Sequence, residues 1–214
     1  MKKIYIIAHR GICKKKLDEN TIISLSKIKK YKNDNEIKFG IEFDLTLTKD
    51  LQVILFHDSE INNKKIVDYN YNELLEYNSN IVLFEDICKE FNNTDYLLDI
   101  ELKSYDEDYI YNNNLCNLVN KILENYKLNY FISSFDIDII KKMKILNHFS
   151  ILIDSVDDYI ICYYDDITNY KNILGVYTIY DENFDDEMLD TILNKEVKYL
   201  ITDNVDKLYN NLKN

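Results

Sequence analysis

Short apolar runs alternate along this chain with stretches whose apolar residues recur at helical spacing. Lys3 to Ala8 is the first β-rich run, and it stops at His9-Arg10-Gly11, where Gly11 permits a tight turn. Lys14 to Lys16 reads as a solvated loop. Asn20 or Thr21 fits the N-cap of a helix in which Ile22, Leu25 and Ile28 share a face to about Tyr31. The polar connection Asn33 to Lys38 leads into GIEFDLTLTKDLQVILFHD, Gly40 to Asp58, which holds two apolar strands. Asp68 to Glu76 and Phe84 to Phe91 read as short helices, the second with Phe84, Ile87, Cys88 and Phe91 on one stripe. Strands follow at Tyr96 to Leu102, Leu128 to Ser134, His148 to Ile153, Ile173 to Tyr180 and Val197 to Ile201. Helices are expected at Asp108 to Tyr126, Asp136 to Leu146, Asp185 to Asn194 and Val205 to Leu212. Asp154 to Tyr170 reads as helical or irregular.

Near-continuous apolar strands interleaved with helices mean a parallel sheet covered by helices. About eight such units in 214 residues fit a small TIM (β/α)8 barrel, an α/β fold, better than an open sheet. No linker or repeat divides the chain, so residues 1–214 are expected to form one domain. One joint is irregular. Between Asp44 and Val53 there is no room for a crossover helix, so the connection between strands 2 and 3 should be a bare loop. His9, Asp44, His57, Glu101, Ser134 and Asp203 all fall at or near the C-terminal ends of strands, which in a barrel meet at one rim.

An apolar fraction of 46% and a charged fraction of 30% describe a soluble globular chain. The net charge of -12 excludes the basic footprint that nucleic acid needs, and it argues against a broad membrane surface. No signal peptide or transmembrane run is visible, so a cytoplasmic location without a stable membrane anchor is expected. The 4 cysteines form no CxxC pair, which fits reduced thiols. Pro is absent and Gly is only 3, so turns rely on Asn and Asp.

Glu42 and Asp44 stand two residues apart within an apolar strand, which puts both on the face opposite Ile41 and Phe43. Two acids there repel unless a cation lies between them. With His57 ending the next strand, the stretch reads as a metal site beside a proton-transfer group. His9 adds a second imidazole and Glu101 a third carboxylate; three carboxylates suit one hard divalent cation, Mg2+ or Ca2+. Bland readings stand beside these. Glu42 and Asp44 also fit an ordinary exposed strand face. Glu101 and Lys103 fit a plain ion pair. Glu19 and Asn20 serve either as helix caps or as support around the metal. Asp99 is a further ligand or, lying deeper, structural; Ser133-Ser134 suits hydrogen bonding at the rim, and His148 a structural role.

The motifs HRG (His9-Arg10-Gly11), DENT (Asp18 to Thr21), GIEFDLTLTKD (Gly40 to Asp50), FHD (Phe56 to Asp58), IELK (Ile100 to Lys103), SSFD (Ser133 to Asp136), VYTIYD (Val176 to Asp181) and ITDN (Ile201 to Asn204) resemble the glycerophosphodiester phosphodiesterase family, in its order and over nearly the whole chain. The resemblance implies a TIM barrel that hydrolyses small glycerophosphodiesters to glycerol 3-phosphate and an alcohol. By position, Glu42, Asp44 and Glu101 match the family's divalent metal ligands, His9 and His57 its acid/base pair, and Arg10 and Lys103 its phosphate-binding residues. It suggests that the glycerol 2-hydroxyl attacks first, giving a cyclic phosphate. The chain departs from the family pattern at Asp18 (usually Pro), at Ser59 to Lys65 (in place of Arg-Thr-Thr), at Tyr177 (usually Trp), and in an inserted subdomain that is absent or very short. The sphingomyelinase D toxins share the barrel and the histidines, but Asp is expected there where Glu101 stands. The alternatives are a phospholipase D-like activity on lysophospholipid or sphingolipid, which needs an apolar approach to the rim that no Leu/Phe-rich loop advertises, and a catalytically silent phosphodiester-binding barrel.

Overall fold

Alternation along the strands decides which face each one turns inward. In a computed structural model, which describes residues 3–105, 108–155, 160–179 and 186–213, the elements run β1 (Ile4–Ala8), α1 (Ile22–Ser26), β2 (Ile37–Leu47), β3 (Val53–Leu55), β4 (Glu60–Ile61), β5 (Lys64–Lys65), α2 (Tyr71–Tyr77), α3 (Phe84–Phe91), β6 (Leu97–Leu102), α4 (Tyr109–Leu123), β7 (Asn129–Ser134), α5 (Ile137–Ile145), β8 (Ser150–Ile153), β9 (Ile160–Tyr163), β10 (Ile173–Ile179), α6 (Asp186–Asn194), β11 (Tyr199–Thr202) and α7 (Val205–Lys213). Ile41, Phe43 and Leu45 on β2, and Leu98, Ile100 and Leu102 on β6, join the apolar layer under the helices. The alternate residues turn inward, where Ile7, Leu97, Phe131, Ile151, Tyr177 and Ile201 fill the barrel.

The barrel closes in the order β1-β2-β6-β7-β8-β9-β10-β11 and back to β1, every neighbour parallel. This is the (β/α)8 arrangement the pattern predicts. The close approach of β2 to β6 requires Gly40: a Cβ there would lie 2.5 Å from the Leu97 carbonyl oxygen. At Gly11 the backbone takes φ +88 and a Cβ would meet Ser24 at 2.7 Å, so the turn after β1 and the seat of α1 both depend on glycine. Thr21 is the N-cap of α1, its hydroxyl accepting from Ser24 N at 3.2 Å. Asn20, at φ +56, is thereby free for another use. The stripe on α3 forms as expected, with Phe84, Ile87, Cys88 and Phe91 fully buried.

Two elements differ from expectation. The loop between β2 and β3 is helix-less as predicted, but β3 runs antiparallel to β2 and lies outside the closed barrel, with Leu45 opposite Leu55 and Leu47 opposite Val53. So short a loop can reverse the chain but cannot carry it back for a parallel strand. The eighth barrel strand is instead β9, from the stretch Asp154 to Tyr170. Between β3 and β6 the chain makes only the β4–β5 hairpin and short helices, in line with a very short insert. Tyr180 and Asp181 of the VYTIYD block, the expected helix start at Asp185, and residues 156–159 lie outside the described residues. Among the described residues, no helix is long and apolar enough to cross a membrane.

Candidate active site

Register stacks the acids. β2 and β6 are parallel, with Glu42 opposite Asp99 and Asp44 opposite Glu101. Period-2 alternation sends all four side chains to the barrel interior, so they form two rungs near the C-terminal rim. Glu42, Asp44 and Asp99 have no exposed surface and Glu101 almost none. Glu42, Asp44 and Glu101 each offer a carboxylate oxygen within 4.8 Å of the others. Asp99 is held deeper, accepting from Ser133 and, at 3.4 Å, from Tyr177.

Two cations and an amide answer this charge. The Arg10 backbone N–H donates to Glu42 Oε2 at 2.8 Å, and its guanidinium lies 3.3 Å from Asp44 and 3.1 Å from Glu19. Lys103 Nζ sits 2.7 Å from Glu101 and 3.4 Å from Asp44. Asn20 donates to Asp44 Oδ2 at 2.8 Å and accepts from Asp44 N at 3.2 Å. Glu19 therefore braces Arg10 and Asn20 braces Asp44, while the cap of α1 falls to Thr21. Burial, and then the charges of Asp44, Glu101 and Asp99, push the Glu42 carboxyl well above the ordinary range. Burial and Asp44 also raise Glu101, against the pull of Lys103. Burial works to lower Arg10 and Lys103, but the surrounding carboxylates overcome it and raise both.

The donor set fits a divalent cation. Glu42 Oε1 and Asp44 Oδ1 are buried without a hydrogen-bond partner, although Lys103 Nζ lies 3.4 Å from Asp44 Oδ1; the state is costly for a carboxylate oxygen that no cation meets. All three candidate ligands are oxygen donors, which suits a hard divalent cation.

His9 borders this cluster, and His57 lines a cavity together with Glu19 and Asn20, which bond Arg10 and Asp44. His9 follows β1; its Nδ1 bonds Asp203 at 2.8 Å, which turns Nε2 inward to 3.9 Å from Glu42. Tyr177 meets the His9 ring edge-on at 5.9 Å, making it a wall of the site. His57 follows β3, positioned by the Phe56 N–H on the Asp44 carbonyl. Its Nδ1 bonds Asp58 at 2.7 Å, and Asp58 also pairs with Lys16 at 3.0 Å. Burial would raise both carboxyls, but the imidazoles, and Lys16 for Asp58, hold them below the ordinary range. The sequence pattern alone does not assign Asp58 and Asp203 as histidine partners. Asp58 carries a local signal, standing beside His57; Asp203 meets His9 only through barrel closure. Ser134 hydrogen-bonds the Leu102 carbonyl at 2.8 Å. His148 bonds Tyr130 at 2.7 Å and Asn120 at 2.9 Å, a structural arrangement.

Polar chemistry gathered on the C-terminal rim of a (β/α)8 barrel is the mark of a barrel enzyme. More narrowly, the chain belongs to the glycerophosphoryl diester phosphodiesterase family, whose model matches residues 9–158. None of the curated proteins matches it in sequence. Among solved structures it is similar to a glycerophosphodiester phosphodiesterase from Parabacteroides distasonis, at 22% identity and TM-score 0.77, covering 100% of both chains. The Thermotoga maritima glycerophosphodiester phosphodiesterase is similar at 20% identity and TM-score 0.73, over 98% of this chain and 99% of that one. A phosphodiesterase from Oleispira antarctica, solved in complex with the product sn-glycerol-3-phosphate, is similar at 18% identity and TM-score 0.75, over 98% and 97%. At these identities the likeness speaks for the fold.

Proposed function

We propose that this chain hydrolyses glycerophosphodiesters to glycerol 3-phosphate and an alcohol, with His9 and His57 as its acid/base pair and one divalent cation, Mg2+ or Ca2+, held by Glu42, Asp44 and Glu101. The observation that carries the reading is the buried acid triad, two of whose carboxylate oxygens lack a hydrogen bond, with His9 beside it and the Nδ1 atoms of His9 and His57 each taken by an aspartate. The Oleispira antarctica relative with bound sn-glycerol-3-phosphate supports the substrate class.

A phosphodiester carries one negative charge and gathers more on its oxygens as phosphorus becomes five-coordinate, so charge neutralisation is the first requirement. Arg10, braced by Glu19 and Asp44, presents a planar fork to the phosphate, and Lys103 adds a point charge. When bound, a divalent cation supplies Lewis-acid stabilisation of a phosphate oxygen and orients the glycerol hydroxyls. With Nδ1 occupied, Nε2 is the atom through which each imidazole exchanges a proton with substrate. One histidine takes the proton of the attacking glycerol 2-hydroxyl, and the other protonates the departing alkoxide. Each transfer is worth ~10²–10⁴-fold in rate. Water then opens the cyclic phosphate. A 2-deoxy analogue turned over as fast as the parent would remove the cyclic step.

The test is phosphatase-coupled release of glycerol 3-phosphate from glycerophosphocholine, with and without EDTA, for the wild type and His9→Ala. Loss of activity in both controls is expected. Full turnover in EDTA would remove the metal from the scheme, and no hydrolysis of any diester would leave the silent binding barrel. One observation favours a second reading, the phospholipase D-like one. Phe135 and Tyr163 at the ends of β7 and β9 are 46% and 38% exposed, with ring centroids 6.5 Å apart, and Lys103 stands over the Phe135 ring. The rim therefore offers an apolar approach that the composition of its loops does not advertise. A lysophospholipid turned over faster than glycerophosphocholine would establish that reading.

A further inference from the structure

Resting on that hydrolytic reading, we propose that the cavity beside His57 receives the leaving alcohol and that Glu60 makes it selective for alcohols bearing an ammonium group. The cavity encloses about 330 Å3, and its lining includes His57, Glu19 and Asn20. Glu19 is bonded to Arg10 and Asn20 to Asp44, so the cavity opens directly beside the phosphate-binding cation and the acid triad. A diester has two arms. The glycerol arm, with its vicinal hydroxyls, belongs on the triad side. The alcohol arm must leave in another direction, and this cavity lies there, with an imidazole at its edge to protonate the departing oxygen.

The lining defines the alcohol. Phe56, Ile61 and Tyr77 contribute apolar and aromatic surface suited to the methylenes of a small chain and to the face-on approach of a cation. Of the charged groups on the wall, Glu19 is engaged by Arg10, and Lys16 is neutralised by Asp58. Glu60 is left. Lys65 stands opposite it across the β4–β5 hairpin, but its ammonium lies over the Tyr105 ring at 4.8 Å. No described residue pairs with the Glu60 carboxylate. An unpaired carboxylate on the wall attracts an ammonium headgroup and gives nothing extra to a neutral polyol. The net charge of -12 acts in the same direction, favouring a zwitterionic diester over an anionic one.

The experiment compares kcat/KM for glycerophosphoethanolamine and glycerophosphoglycerol in the wild type, Glu60→Gln and Glu60→Lys. The wild type should prefer the ethanolamine diester. Glu60→Gln should reduce that ratio by about twofold to fivefold, the range of an exposed ion pair, and Glu60→Lys should reverse it. The preference should shrink at 1 M salt, where screening acts within about 3 Å. A ratio unmoved by either substitution, or a wild type that prefers the glycerol diester, overturns the proposal. Binding of the two intact diesters to His9→Ala separates this proposal from the hydrolytic one. Glu60-dependent preference in binding without wild-type turnover keeps the cavity assignment and sinks the hydrolase; turnover without preference does the reverse.

Discussion

Replacing Asp203 with Asn tests how His9 is held. The Asp203 carboxylate can only accept, so it fixes the proton on His9 Nδ1 through a 2.8 Å bond and leaves Nε2 directed at the acid cluster. An amide of the same shape can donate instead, which allows the opposite tautomer and puts the proton on the atom that the proposed mechanism uses to exchange with substrate. Asp203 is half-exposed and among the described residues pairs only with His9, so its contribution to folding is small, less than about 1 kcal/mol. The catalytic consequence is much larger. If the acid/base contribution of His9 is lost, kcat falls by ~10²–10³-fold, within the range for one proton-transfer group. KM should stay within about a factor of two, because Asp203 lies behind the imidazole. Steady-state kinetics of the wild type and Asp203→Asn at one pH reads kcat and KM together. An Asn variant with wild-type kcat would show that His9 is oriented by something else.

Other outcomes follow from the same geometry. In EDTA, Glu42→Gln should raise the unfolding midpoint, because a buried carboxylate crowded by like charges is replaced by a neutral group that can still accept from Arg10 N; an unchanged or lower midpoint counts against a repulsive cluster. Saturating Mg2+ or Ca2+ should stabilise the wild type by about 2.7 kcal/mol at a hundredfold excess over Kd, and thermal scans of Glu42→Gln should show most of that shift gone. Gly40→Ala forces a methyl to 2.5 Å from the Leu97 carbonyl and should cost about 1–3 kcal/mol by denaturant titration; a neutral result would mean β2 and β6 separate easily. Asp34 is held down to about 2 by the Ile37 and Glu36 backbone N–H groups and by Lys213. A carboxyl depressed in the folded state contributes stability above its unfolded value of 3.8 and loses it as pH falls towards 2, so Asp34→Asn should flatten the acid limb of stability in that window.

What could be read in advance depended on how far apart the cooperating residues lie in the chain. Glu42 and Asp44 announce themselves because an alternation of two places both against apolar neighbours, and burial of the whole strand then leaves them only the barrel interior. Asp99 and Glu101 repeat the pattern on β6, and their register with Glu42 and Asp44 follows once β2 and β6 are neighbours. Strand direction is a different matter. The run Val53 to Phe56 is as apolar as a barrel strand, yet it packs outside, because burial on both faces does not encode which neighbour a strand pairs with or in which sense. The missing eighth strand, Ile160–Tyr163, is four residues long and set among aspartates and tyrosines, so its apolar signal is diluted below that of the strands around it.

The two histidines divide along the same line. His57 and Asp58 are neighbours in sequence, so their bond is local and legible in the FHD motif. His9 and Asp203 are 194 residues apart and meet because β1 and β11 are the seam where the barrel closes. A site assembled on that seam is sensitive to closure in a way the acid triad is not. Substitutions that loosen the β1–β11 pairing, far from any substrate, should therefore lower kcat through His9 before they disturb metal affinity at β2 and β6. At Ile201, buried inside the barrel opposite Ile7, truncation to Ala is the case to try. Activity lost with the Mg2+- or Ca2+-induced thermal shift retained is the expected split; parallel loss of both would mean the rim responds as one body and the seam has no special standing.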